Sequence, residues 1–219
     1  MATTNTYAAS LTVAEALDDA WERLGLDPVT ITSRHSKSAR QSMMLMLASW
    51  SNRGILQWTI DEQTKTTTVG MQSFTPADGT IDLLDVILRR DGIDTPMSVM
   101  SRQDYHSLPD KDVQGKPNQY FVQRSITPTV YIWPAGENTT DVIRYYRIRQ
   151  IQDTGSLSTN PDIPVRWFEA FVADLASRLA QKWAPDRWGD LKTAALEEFN
   201  AAKMEDRERA DVCLSVRMR

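Results

Sequence analysis

Cysteine and histidine are almost missing from this chain. Cys213 stands alone among 219 residues, so neither an intrachain disulfide nor a thiolate metal cluster is expected. His35 and His106 are the only histidines, and neither has a second metal-type residue at helical spacing. Both are expected to be partly exposed polar side chains, with no metal and no cofactor. No run of 18 apolar residues occurs, so no transmembrane helix is predicted. The N-terminal Met1-Ala2-Thr3-Thr4-Asn5-Thr6 has neither the basic start nor the apolar stretch of a signal peptide, which points to synthesis and assembly in a cytoplasm. An excess of positive charge is also lacking, with 25 basic residues against 29 acidic ones. A net charge of −4 argues against nucleic-acid binding by a basic surface, although not against a protein that surrounds DNA without gripping it.

What is present is ordinary globular material. Hydrophobic residues at 41% and charged residues at 25% allow a real core in one domain or two small ones. Thr12 and Glu15 form a capping box, and Val13, Ala16, Leu17, Ala20, Trp21 and Leu24 follow at helical spacing up to Gly25. A second helix is expected over residues 34–52. Its apolar stripe is Ala39, Met43, Leu47 and Trp50, widened by Met44 and Met46.

The period then changes. Residues 64–69 are β-branched except Lys65, and residues 85–90 run into Asp91-Gly92, a dipeptide suited to a tight hairpin turn. Residues 119–123, 130–133 and 142–148 are further strand candidates, expected to form an antiparallel meander or small sandwich. A short helix is expected within residues 101–108 and an exposed loop over residues 109–117. From residue 165 to 183 the chain reads as a central core helix, capped by Asp162, begun by Pro164 and ended by Pro185. A last helix over residues 187–210 is apolar at Trp188, Leu191, Ala195, Phe199 and Ala202, and its charged end, residues 203–211, is expected in solvent.

The fold class expected is therefore α+β: a helical bundle from the N- and C-terminal segments with an inserted antiparallel β-region. The expected boundaries are residues 1–54, 55–150 and 151–219, the first and last packing as one helical domain.

Enzyme signatures are scarce. There is no Walker-type loop, dinucleotide fingerprint or nucleophile elbow. Asp110 and Asp112 share a loop and are the acids a glycan hydrolase would use, but two acids beside Lys111 are more often simply solvated. Arg144, Arg147 and Arg149 with Tyr145 and Tyr146 have the composition of a phosphate-binding and stacking strip. Strand alternation instead divides the arginines between two faces, where they snorkel over apolar neighbours. At the C-terminus, Val212, Leu214, Val216 and Met218 alternate with polar residues beyond a charged helix. That pattern fits an arm that docks on a partner by donating a strand, or else a frayed terminus.

Three stretches carry a resemblance: residues 41–50 (QSMMLMLASW) with Gly54, residues 142–148 (VIRYYRI), and residues 162–171 (DIPVRWFEAF) leading into an alanine-rich helix. Over roughly residues 10–205 the order of elements resembles the head-to-tail adaptor of short-tailed bacteriophages, similar to the tail tubular protein A family. The resemblance implies a non-enzymatic virion component that assembles as a twelve-fold ring. It would join the portal protein to the tail nozzle protein, with genomic DNA passing through without sequence-specific contact and no membrane involved. The resemblance carries no catalytic or ligand residue with it. A tail-associated glycan hydrolase or a small DNA-binding module are the alternatives.

Overall fold

The structure, a computed structural model, describes residues 9–54 and 56–206, and of Pro28 the backbone alone. In chain order the elements are α1 (Val13–Leu24), α2 (Ser33–Ser51), β1 (Ile60–Thr66), β2 (Ser73–Phe74), β3 (Thr80–Arg90), β4 (Ile93–Pro96) and β5 (Ser98–Val99). They continue with α3 (Arg102–Ser107), β6 (Gln114–Gly115), β7 (Gln119–Gln123), β8 (Thr129–Trp133), β9 (Ala135–Gly136), β10 (Val142–Arg149), α4 (Phe168–Trp183) and α5 (Trp188–Glu205). This is an α+β fold. It divides into two compact units, residues 59–150 and the segments flanking them on either side.

The helical unit is built from local signals that cooperate. The Thr12 backbone N–H donates to the Glu15 carboxylate at 2.8 Å, and the Glu15 N–H donates back to Thr12 Oγ1 at 3.3 Å. Gly25 closes α1 at φ 80°, where a side chain would be strained. All six apolar residues at helical spacing on α1 are buried. On α2 the stripe is Ala39, Ser42, Met43, Met46, Leu47 and Trp50. Met44, expected to widen it, is instead about half exposed because it lies one residue past the stripe's edge.

Helix α4 is the core of this unit and packs against α1, α2 and α5. It buries Ala170, Phe171, Val172, Ala173, Leu175, Ala176, Leu179 and Ala180. Its entry differs from expectation: Val165–Trp167 forms a separate 3-10 turn capped by Pro164. Asp162 accepts the Gln152 N–H at 3.0 Å, in the loop before that turn. Three tryptophan or phenylalanine rings, Trp167, Phe171 and Phe199, surround Trp50 at 5.3–6.3 Å between centroids.

The β unit is a sandwich. One sheet has the order β1-β10-β3-β4 and is antiparallel throughout; the other has the order β2-β8-β7-β5. Leu83, Val86, Leu88, Ile143 and Tyr145 from the first meet Phe74, Tyr120, Val130 and Ile132 from the second in one core. Two pairings of two residues each, β5 with β7 and β6 with β9, are parallel, a departure from the all-antiparallel expectation. Asp91 (φ 50°) and Gly92 (φ 78°) make the expected hairpin between β3 and β4. The first strand is Ile60–Thr66 rather than residues 64–69. Thr67 follows in the same register, its N–H and its hydroxyl both donating to the Asp141 carbonyl, at 3.0 and 3.1 Å. Behind the second sheet, α3 packs Tyr105 on Phe121 and Tyr131, with centroids 5.8 and 5.0 Å apart.

Candidate functional site

The four residues singled out as a docking arm, Val212, Leu214, Val216 and Met218, lie outside the described residues. The approach to them is described as far as Asp206. That residue, expected in solvent, has its side chain only 1% exposed. It accepts the Gln57 N–H at 2.9 Å and pairs with Arg166, so the end of α5 is tied to the segments before α4 and after α2.

Asp110 and Asp112 are both exposed. Asp110 accepts the Asp112 N–H at 2.8 Å and Asp112 accepts from Gln72 Nε2. Each carboxylate thus pins its loop. His106 is exposed, while His35 sits between Trp21 and Trp183, ring centroids 5.9 and 5.3 Å away. Its Nδ1 accepts the Thr32 N–H at 3.2 Å, taking the role a glutamate usually plays in a capping box.

The arginines of β10 do lie on both faces of the strand, but carboxylates hold them rather than apolar surface. Arg147 is nearly buried, with Nε 2.6 Å from Asp61 and Nη1 donating to the Ala77 and Asp78 carbonyls at 2.9 and 2.7 Å. Arg144, on the outer face, pairs with Glu62 and lies 3.9 Å from Asp94, which Arg89 already holds at 2.6 Å. Tyr145 is buried, its hydroxyl accepting the Ala77 N–H at 3.2 Å. Only Tyr146 of the five presents an exposed ring. A phosphate would have to displace these carboxylates before it met the guanidinium groups.

Sequence reasoning passed over the most polar place in the helical core. Asp174 is buried in the middle of α4, and its Oδ2 accepts Trp50 Nε1 at 2.7 Å. Ser177 Oγ donates to the Asp174 carbonyl at 2.9 Å. Around this carboxylate a cleft of about 210 Å³ opens between α4 and α5, lined also by Arg53, Arg178, Lys192, Trp188 and Leu196. Arg178 Nε and Arg53 Nη2 stand 3.6 and 3.9 Å from the carboxylate oxygens. Arg53 also lies 4.7 Å over the Phe199 ring. An acid set among Phe171, Val172, Ala173, Leu175 and Ala176 was the signal that marked this cleft, since a buried charge needs partners.

Across residues 8–219, and so across both units, the sequence matches the SU10 adaptor protein family. The chain belongs to that family. It is a structural adaptor protein of a bacteriophage and a component of the virion. The SU10 adaptor match makes assembly with other virion proteins the context in which the exposed surfaces are to be read. Among curated proteins, none matches the chain. No helix among the described residues is long and apolar enough to cross a membrane.

Proposed function

We propose that this adaptor joins the portal of the phage head to the tail nozzle as a twelve-fold ring, with genomic DNA passing through it without sequence-specific contact. The observation that carries the reading is the SU10 adaptor match over residues 8–219, which includes both the helical unit and the sandwich. The position between portal and nozzle is the part of the proposal that rests on the resemblance, in order of elements, to the tail tubular protein A family. Paired arginines on β10 and a net charge of −4 favour a wall along which DNA slides over one that holds it. On this reading the protein is not an enzyme. Asp110 and Asp112 stabilise a loop, and their carboxylates serve backbone and amide donors.

Val212, Leu214, Val216 and Met218 form the arm that docks on the portal or on a neighbouring subunit. Their alternation supports this, because an apolar strand beyond a charged helix needs a partner's edge. The direct experiment is a mass measurement of the purified protein, alone and mixed with the portal protein. A ring-sized complex on the portal is expected. Absence of any complex, or glycan cleavage that Asp112→Asn abolishes, contradicts the reading.

A further inference from the structure

The cleft between α4 and α5 has more positive charge than it can use. Arg53, Arg178 and Lys192 line it together with a single carboxylate, Asp174. That carboxylate is already engaged by the Trp50 indole at 2.7 Å. The two guanidinium groups stand beyond hydrogen-bond length from it, at 3.6 and 3.9 Å. Arg178 Nε is buried and makes no hydrogen bond to any described residue. Lys192 Nζ rests 4.9 Å over the Trp188 ring and has no ion pair among the described residues. A buried donor without an acceptor is costly, and three cations around one acid call for a further anion.

The same chain carries that anion on another surface. On α1, Asp18 and Glu22 are exposed, stand one helical turn apart, and have no ion pair among the described residues. Their neighbours are occupied: Glu15 with Thr12, and Asp19 with Arg23. Helix α1 turns its apolar face to α4, so these acids point away from their own bundle. The side of α4 that meets α1 is marked by Glu169, paired with Arg23 at 2.6 Å. Arg178 lies nine residues on, about half a turn around the helix at ~100° per residue. Cleft and acidic face are therefore different surfaces, and matching them between copies gives a heterologous contact of the kind that builds rings.

We propose that the α4–α5 cleft receives the acidic face of α1, Asp18 and Glu22, from a second copy of this chain. The proposal rests on the ring assembly proposed above and names one of its contacts. The volume of about 210 Å³ suits one or two carboxylate side chains, whose methylenes meet Trp188 and Leu196. It is too small for a nucleic-acid strand.

The test uses full-length protein, half of it isotopically labelled, with the portal protein present and absent. A carbodiimide joins amines to carboxylates that touch them, and mass spectrometry reads peptides that mix labelled and unlabelled partners. Lys192 joined to Asp18 or Glu22 of the other isotope is the expected product. Lys192→Glu should weaken assembly roughly tenfold or more, as expected when a close charge pair is reversed. Adding Glu22→Lys to it should return assembly to within about threefold of wild type, the behaviour of a coupled pair. Lys192 joined instead to the portal, or to another acid of the second copy, overturns the proposal, and so does wild-type assembly by Lys192→Glu. If the wild-type chain does not assemble at all, the ring reading itself fails and this contact fails with it.

Discussion

Trp50 and Asp174, 124 residues apart in sequence, share a buried hydrogen bond of 2.7 Å between the indole Nε1 and Oδ2. It ties α2 to α4 at the point where the helical core is least apolar. Trp167 provides a contrast. Its ring lies tilted against Trp50 with centroids 5.4 Å apart, yet its own Nε1 is buried without a hydrogen-bond partner among the described residues. Trp50→Phe strips a donor from a buried carboxylate, whereas Trp167→Phe breaks no such bond. In urea melts the first should cost about 1–2 kcal/mol more than the second. Equal losses would contradict the role given to the Asp174 bond.

The same core sets a second expectation. Trp167 and Phe171 are both 0% exposed and both face Trp50. Either one changed to Ala should lower stability by about 3–5 kcal/mol through lost burial and the cavity left behind. A loss below about 1 kcal/mol, the range of surface changes, would reject the packing of α4 described here.

Much of this was legible from short-range chemistry. The Thr12–Glu15 box, the spacing from Val13 to Leu24 and the Asp91-Gly92 turn each depend on a few neighbouring residues, and the structure keeps all three. Long-range competition decided the rest. β1 starts at Ile60 because Ile60–Thr66 find their partners in Ile148–Val142 of β10, and the two-residue strands β2, β5, β6 and β9 exist only through their partners. The arginines of β10 were correctly placed on two faces, but only the fold brings Asp61 opposite Arg147 and Glu62 within reach of Arg144. The Asp174 cleft needed three helices in place before one acid and three cations became a site.

Arg90 and Asp141 make stability of the β unit depend on pH. Arg90 donates to both Asp141 oxygens, at 2.8 and 2.6 Å, and the Asp141 side chain is 1% exposed. The hydrogen bonds from Arg90 hold the Asp141 carboxyl below its ordinary range. Because the folded value lies below the unfolded one, the contribution is complete above the unfolded value, about pH 4, and is lost as pH falls through the folded value. The stability gap between wild type and Asp141→Asn should therefore be widest near neutrality and narrow steadily in melts taken below about pH 4. A gap independent of pH would rule out this pair as the cause.

His35 offers a test of an unusual cap. Its Nδ1 accepts the Thr32 N–H, and its ring meets the edges of Trp21 and Trp183. His35→Ala should cost about 1 kcal/mol for the cap and a further ~0.5–1 kcal/mol for the ring contacts. His35→Glu should regain the cap but not the ring contacts, and so fall between the two. A glutamate variant no better than alanine in thermal melts would show that the cap contributes nothing.

Deleting residues 212–219 should leave the circular dichroism and melting of the protein unchanged while weakening its assembly onto the portal. Burying Val212, Leu214, Val216 and Met218 contributes ~1.5–3 kcal/mol each before ordering costs, and repetition around a ring multiplies even a weak attachment. Undiminished portal binding by the truncated protein would remove the arm from the account.

The central claim, that this SU10-family adaptor works as a ring on the portal, is tested most directly by weighing the complex. Purified protein mixed with portal protein should give a particle whose mass equals the portal plus twelve copies of this chain. A mass showing no bound adaptor, or a single copy per portal, would contradict the account.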